Sequence, residues 1–161
     1  MRSHHLTRRR ALGLLAAGAS AFALPPSLAK AAGTPTPILR KGTPAFDTAR
    51  SGLTWNPRLP NTRVPAAIAQ PESAADVAAA IKYARASKLK VAIRGGGHNY
   101  HGPVLRDGSL LINLSRLNTL KIDATTQRAS VGPGVKSGEL ITALDPHKLA
   151  FPVAHCSDVN L

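Results

Sequence analysis

Cysteine occurs once in the 161 residues, at Cys156. An internal disulfide is therefore excluded, and the thiol is left for burial or for chemistry. Aromatic side chains are nearly as scarce, with one Trp, two Tyr and three Phe. Proteins that grip nucleic acid cluster their cations and often stack bases on aromatics. Here the basic residues are scattered, so no nucleic-acid partner is expected. Acids are also few, 8 Asp and Glu against 21 Lys and Arg, giving a formal charge of +13. That excess suits solubility or the attraction of an anionic ligand. No apolar run approaches the roughly 20 residues of a membrane-crossing helix, so no stable span is expected. Internal repeats and low-complexity tracts are absent as well.

The N-terminus reads as an address. Arg2, Arg8, Arg9, Arg10 and Lys30 lie in the first 31 residues, which contain no acid. Thr7-Arg8-Arg9-Arg10 leads into an uncharged run from Ala11 to Leu24. Pro25-Pro26 breaks it, and Ala29-Lys30-Ala31 offers the small residues of a cleavage site. This is the layout of a secretory signal, and the paired arginines after Thr7 match the twin-arginine class. Residues 1–31 are thus expected to be a signal peptide read by the twin-arginine translocase. The protein is then exported to the periplasm or beyond the cell. That route carries folded proteins, as one loading a cytoplasmic cofactor before export would need.

Residues 32–61 hold Pro35, Pro37, Pro44, Pro57 and Pro60. Proline fixes φ and removes an amide donor, so this stretch is expected to be an extended lead-in without helix. Residues 62–161 carry the domain. Val64 to Ala69 can form a strand, and Glu72-Ser73 opens an amphipathic helix with Val77, Ile81 and Ala84 on one side. Ser73 fits the N-cap, with Asp76 three residues on, in the place of a capping-box acid. Leu89 to Ile93 is the next strand, completing a βαβ unit. Leu110 to Leu114 forms a further strand, and Leu120–Ile122 pairs with Ala129–Val131 across a polar turn. A second helix is expected from Ser137 to Leu144.

The βαβ unit delivers a loop, Arg94-Gly95-Gly96-Gly97-His98-Asn99-Tyr100. Its spacing is not the dinucleotide fingerprint G-x-G-x-x-G. Three glycines nevertheless let a ligand lie against backbone amides, and converging amides suit a phosphate or pyrophosphate. At a strand's C-terminal end, such a loop stands where open α/β sheets bind ligands. His98 reads either as a surface hydrogen-bond donor or as a nucleophile towards an electrophilic ligand carbon. Cys156 reads as a small hydrophobe or, beside His155, as a thiol of lowered pKa. His98, His101, His155 and Cys156 are zinc-ligand types, but their spacings match no zinc pattern.

Taken together, Val64-Pro65-Ala66, the glycine loop, Leu111-Ile112-Asn113-Leu114-Ser115, Val131-Gly132-Pro133-Gly134 and Phe151-Pro152 before Cys156 closely resemble one family. It is the PCMH-type FAD-binding domain of berberine-bridge-enzyme-like oxidases, flavoproteins of the vanillyl-alcohol-oxidase type. The resemblance implies an α+β fold, a βαβ unit with a pyrophosphate loop plus a small mixed sheet. It implies FAD as cofactor, held by Arg94, Gly95, Gly96, Gly97, His98, Asn99, Tyr100 and Cys156. In relatives, the histidine matching His98 bonds the flavin 8α-methyl carbon, and the cysteine matching Cys156 bonds C6. Two departures stand out: Asn99 replaces a frequent serine, and Ala154-His155 replaces a common glycine before the cysteine. The implied reaction is oxidation of an alcohol or sugar hydroxyl by hydride transfer to FAD, with O₂ as acceptor. The domain is expected to be incomplete here, without the substrate domain or a catalytic base, and inactive as this piece. Two rivals stand beside this reading, a degenerate flavin-binding fragment without activity and an exported metal-binding module.

Overall fold

The computed structural model describes residues 36–54, 56 and 63–161. The expected export signal, residues 1–31, lies outside the described residues. A four-stranded mixed sheet forms the centre, comprising β1 (Leu39–Arg40), β2 (Ala67–Ala69), β3 (Val91–Arg94) and β4 (Leu110–Asn113) in the order β1-β2-β4-β3. β4 runs parallel to β2 on one side and to β3 on the other, and β1 pairs antiparallel with β2. The expected βαβ unit is present, with β4 inserted between its two strands. The sequence explains that placement. Leu110-Leu111-Ile112 is apolar at consecutive positions and every residue of β4 is buried, as a strand covered on both faces requires. β3, which has β4 as its partner on one side, leaves Ile93 62% exposed.

Side chains along a strand alternate between faces, and both faces of this sheet are covered. Ile68 and Leu111 pack with Phe46 and Leu53, Phe46 belonging to helix α1 (Pro44–Ser51). Ala67, Ala69, Leu110 and Ile112 pack on the other face with Ala80 and Ala84 of helix α2 (Ala74–Ala86). Small alanines on both partners let α2 lie close to the sheet. The expectation of an extended lead-in without helix fails within residues 36–53. Thr43 caps α1, its Oγ1 accepting from the Phe46 amide at 3.3 Å, and Pro44 stands in the first turn. Proline is favourable there because its missing N–H would have had no helical partner. Pro44 starts a helix where the composition of the stretch suggested a breaker.

The expected cap of α2 forms. The Asp76 amide donates to Ser73 Oγ at 3.2 Å, and Asp76 Oδ2 accepts from the Glu72 amide at 3.1 Å. β5 (Leu120–Asp123) and β6 (Arg128–Val131) make the expected antiparallel hairpin as a separate sheet. Helix α3 (Ser137–Leu144) follows, burying Leu140 and Leu144 while Ile141 stays 48% exposed. Its first amides find partners in a distant segment. Ser137 N donates to Val159 O at 2.8 Å and Gly138 N to Ser157 O at 2.9 Å, satisfying amides that a helix start leaves open. Among the described residues no helix is long and apolar enough to cross a membrane.

Candidate functional site

The three parallel strands end at one side of the sheet, and a cleft of about 780 Å³ opens there. Gln70 after β2, Arg94-Gly95-Gly96 at the end of β3, and Asn113, Ser115 and Arg116 at the end of β4 line it. Thr48, Ala49 and Gly52 from α1 and its C-terminal end form one wall, and Gly134, Lys136 and Asn160 form another. Three cations, Arg94, Arg116 and Lys136, and one acid, Glu139, line the cleft, Arg116 being paired with Glu72 at 3.0 Å. Glu139 already accepts from the Lys136 amide at 2.8 Å. A cation-rich cleft at the carboxyl ends of parallel strands suits an anionic ligand.

Arg94 is the best-anchored side chain in this cleft. Its Nε donates to Leu53 O at 2.6 Å. Nη1 donates to Gly95 O and to Asn113 Oδ1, each at 3.0 Å. Nη2 donates to Gly52 O at 3.2 Å and Gly96 O at 3.0 Å. Burial holds its pKa below the usual arginine value. Gly97 has a φ of +71°, and a methyl group there would run into the Leu53 carbonyl and the Arg94 Nε. A methyl at Gly96 would run into the Asn160 side chain, so the loop must be bare at Gly96 and Gly97.

Lys136 pairs with Asp158 at 2.9 Å, both side chains being well exposed. The Asp158 hydrogen bond holds the lysine above its ordinary value, and Lys136 holds the Asp158 carboxyl below its own. Asn160 donates from Nδ2 to Pro133 O at 2.9 Å.

Of the residues expected from sequence, Arg94, Gly95 and Gly96 line the cleft, and Gly97, next to them, lies against Leu53 O and Arg94. His98, Asn99, Tyr100 and Cys156 are exposed and lie outside the cleft lining. Asn99 Oδ1 accepts from the His101 amide at 2.9 Å, bracing the turn that follows the loop. The Tyr100 ring packs edge-on to His101, with centroids 5.7 Å apart. Gln70, Asn113, Ser115, Lys136 and Asn160 were not expected as site residues from sequence, although Asn113 and Ser115 stand in a run that carries the resemblance. Their signal was positional, since Gln70 directly follows β2, Asn113 ends β4 and Ser115 lies two residues beyond it. Among the described residues no group of three His, Cys, Asp or Glu side chains could hold a metal ion.

Residues 65–160 match the family described as FAD binding domain. FAD-linked oxidoreductase ptmO of Penicillium ochrochloron is 37% identical over 123 residues, 76% of this chain and 27% of that protein. Xylooligosaccharide oxidase of Thermothelomyces thermophilus is 35% identical over 124 residues, 71% of this chain and 24% of that protein. Among solved structures, 6-hydroxy-D-nicotine oxidase from Arthrobacter nicotinovorans superposes with a TM-score of 0.70 at 30% identity. It covers 83% of this chain and 28% of its own. The chain spans about a quarter of the length of the curated relatives it matches.

Proposed function

The chain belongs to the FAD binding domain family of FAD-linked oxidoreductases, and on that premise we propose that its cleft holds the pyrophosphate of FAD. The observation that carries this reading is the bare Gly95-Gly96-Gly97 loop on a cleft with three cations and one acid. A pyrophosphate needs amide donors at close approach and positive charge nearby, and this donor set fits it. Gly96 and Gly97 would supply amides, Lys136 and Arg116 charge, and Ser115 a hydroxyl donor. Bound there, FAD supplies the hydride acceptor that O₂ then restores. The protein's part is to hold and orient it.

His98 and Cys156 are proposed as covalent tethers, His98 to the flavin 8α carbon and Cys156 to C6. Support comes from the resemblance in the loop and before the cysteine. It comes also from the contact between the two segments, through Asn160 beside Gly96. Each tether would replace a flavin C–H by a C–N or C–S bond, the protons passing to solvent and the two electrons to the flavin, which O₂ would reoxidise. The imidazole would have to be neutral and the thiol a thiolate. The whole protein is proposed to oxidise a small-molecule alcohol or sugar hydroxyl, a reading that the name of the xylooligosaccharide oxidase relative supports. Export by the twin-arginine translocase gives the tethers a purpose, because a bonded flavin cannot be lost outside the cell.

Acid precipitation of the full-length protein tests the tethers. The flavin is expected to stay with the pellet. It should stay attached in either single variant, His98→Ala or Cys156→Ala, and be released in the double variant. Flavin that is all released from the wild-type protein would show that neither bond forms.

A further inference from the structure

An arginine in a phosphate-binding loop is ordinarily read as a phosphate ligand, but the Arg94 guanidinium has no donor left for one. A guanidinium carries five N–H groups, and the five are met by Leu53 O, Gly95 O, Asn113 Oδ1, Gly52 O and Gly96 O. All five acceptors are neutral. The charge is therefore held without a hydrogen-bonded carboxylate, on a half-buried side chain at the cleft wall beside the loop.

Two of those acceptors decide where the loop amides point. The peptide groups here are all trans, and in a planar trans peptide the C=O and the following N–H point in opposite directions. With the Gly95 and Gly96 carbonyls turned onto Arg94, the Gly96 and Gly97 amides are turned away from it. No described residue accepts from either amide. A hydrogen bond from a cation to a carbonyl also polarises that peptide and strengthens its own N–H as a donor.

We propose that Arg94 is a positioning residue that turns the Gly96 and Gly97 amides towards the anion and lends them its charge through the peptide groups, without touching the anion itself. The inference rests on the reading of the cleft as a pyrophosphate site. It requires the planar five-donor fork, which bridges the carbonyls after α1, the loop carbonyls and the β4 side chain at once. A lysine keeps the charge but offers three donors from one point.

The test compares flavin content per protein, and thermal unfolding, in the full-length wild type, Arg94→Lys, Arg94→Ala and Gly97→Ala. Arg94→Lys is expected to lose flavin occupancy by about tenfold or more, the order of one or two lost charge-assisted hydrogen bonds. Ethylguanidinium supplied during expression of Arg94→Ala should restore occupancy, and ethylammonium should not. Gly97→Ala, with Arg94 intact, should lose flavin like Arg94→Lys, because the added methyl displaces the same guanidinium contact. Wild-type occupancy in Arg94→Lys, or equal rescue by the two cations, would overturn the proposal. Should both Arg94 variants fail to fold, Gly97→Ala decides, and unchanged occupancy there overturns it. A wild-type protein without flavin would refute the cofactor reading instead. Inorganic pyrophosphate then tests positioning alone. Protection of wild type but not of Gly97→Ala against heat supports it, and equal protection overturns it.

Discussion

Asp76 ties the start of α2 to the chain before it. Its carboxylate accepts from the Glu72 amide at 3.1 Å, the Ser73 hydroxyl at 2.9 Å and the Thr36 amide at 3.4 Å. The Ser73 bond is the main cause that holds its pKa below the ordinary aspartate value. A depressed carboxylate contributes stability that is full above the unfolded value, about 4, and lost as pH falls through the lower folded value. Denaturant unfolding of wild type against Asp76→Asn should therefore differ near neutral pH and converge in acid. Ser73→Ala should cost about 1 kcal/mol in the same measurement, the usual worth of an N-cap side chain. This cap was legible because its residues are three apart. The role of Arg94 was not, since Leu53, its Nε acceptor, lies 41 residues back along the chain.

At the scale of elements, α1 covers a sheet face and walls the cleft together. Phe46 and Leu53, each 1% exposed, fill the face opposite α2, while Gly52 and Leu53 offer their carbonyls to Arg94. Phe46→Ala should destabilise the protein by about 3–5 kcal/mol, the range for a buried aromatic truncation, as read by denaturant unfolding. Flavin content should fall with it, because α1 then ceases to fix the acceptors that hold the loop. Helices α2 and α3 and the β5–β6 hairpin were legible from apolar spacing and turn residues. α1 was obscured because its apolar content is Phe46 with alanines, set among prolines. Thr43-Pro44 was its local signal, a cap followed by a proline in the first turn.

On the scale of the whole molecule, the proposed export signal is testable apart from the fold. Replacing Arg8 and Arg9 together by lysine keeps the charge but removes the arginine pair. The precursor should then remain in the cytoplasm of a bacterial host, as fractionation and immunoblotting would read. A secretory signal of the ordinary kind would tolerate the change, since it needs only a basic start. The sequence alone determined the family, the cofactor class and the place of the glycine loop. The loop's place follows from a short-range pattern of strand, helix, strand and three glycines. Family and cofactor class follow from the resemblance of the short motifs between Val64 and Cys156. The tertiary structure alone decided that β4 sits between β2 and β3, and that residues 36–53 complete the core. It also decided that the segment after Cys156 adjoins the loop and that Arg94 faces inward onto carbonyls. Each of these depends on hydrogen bonds and packing between segments far apart in the chain, and no local spacing encodes such contacts.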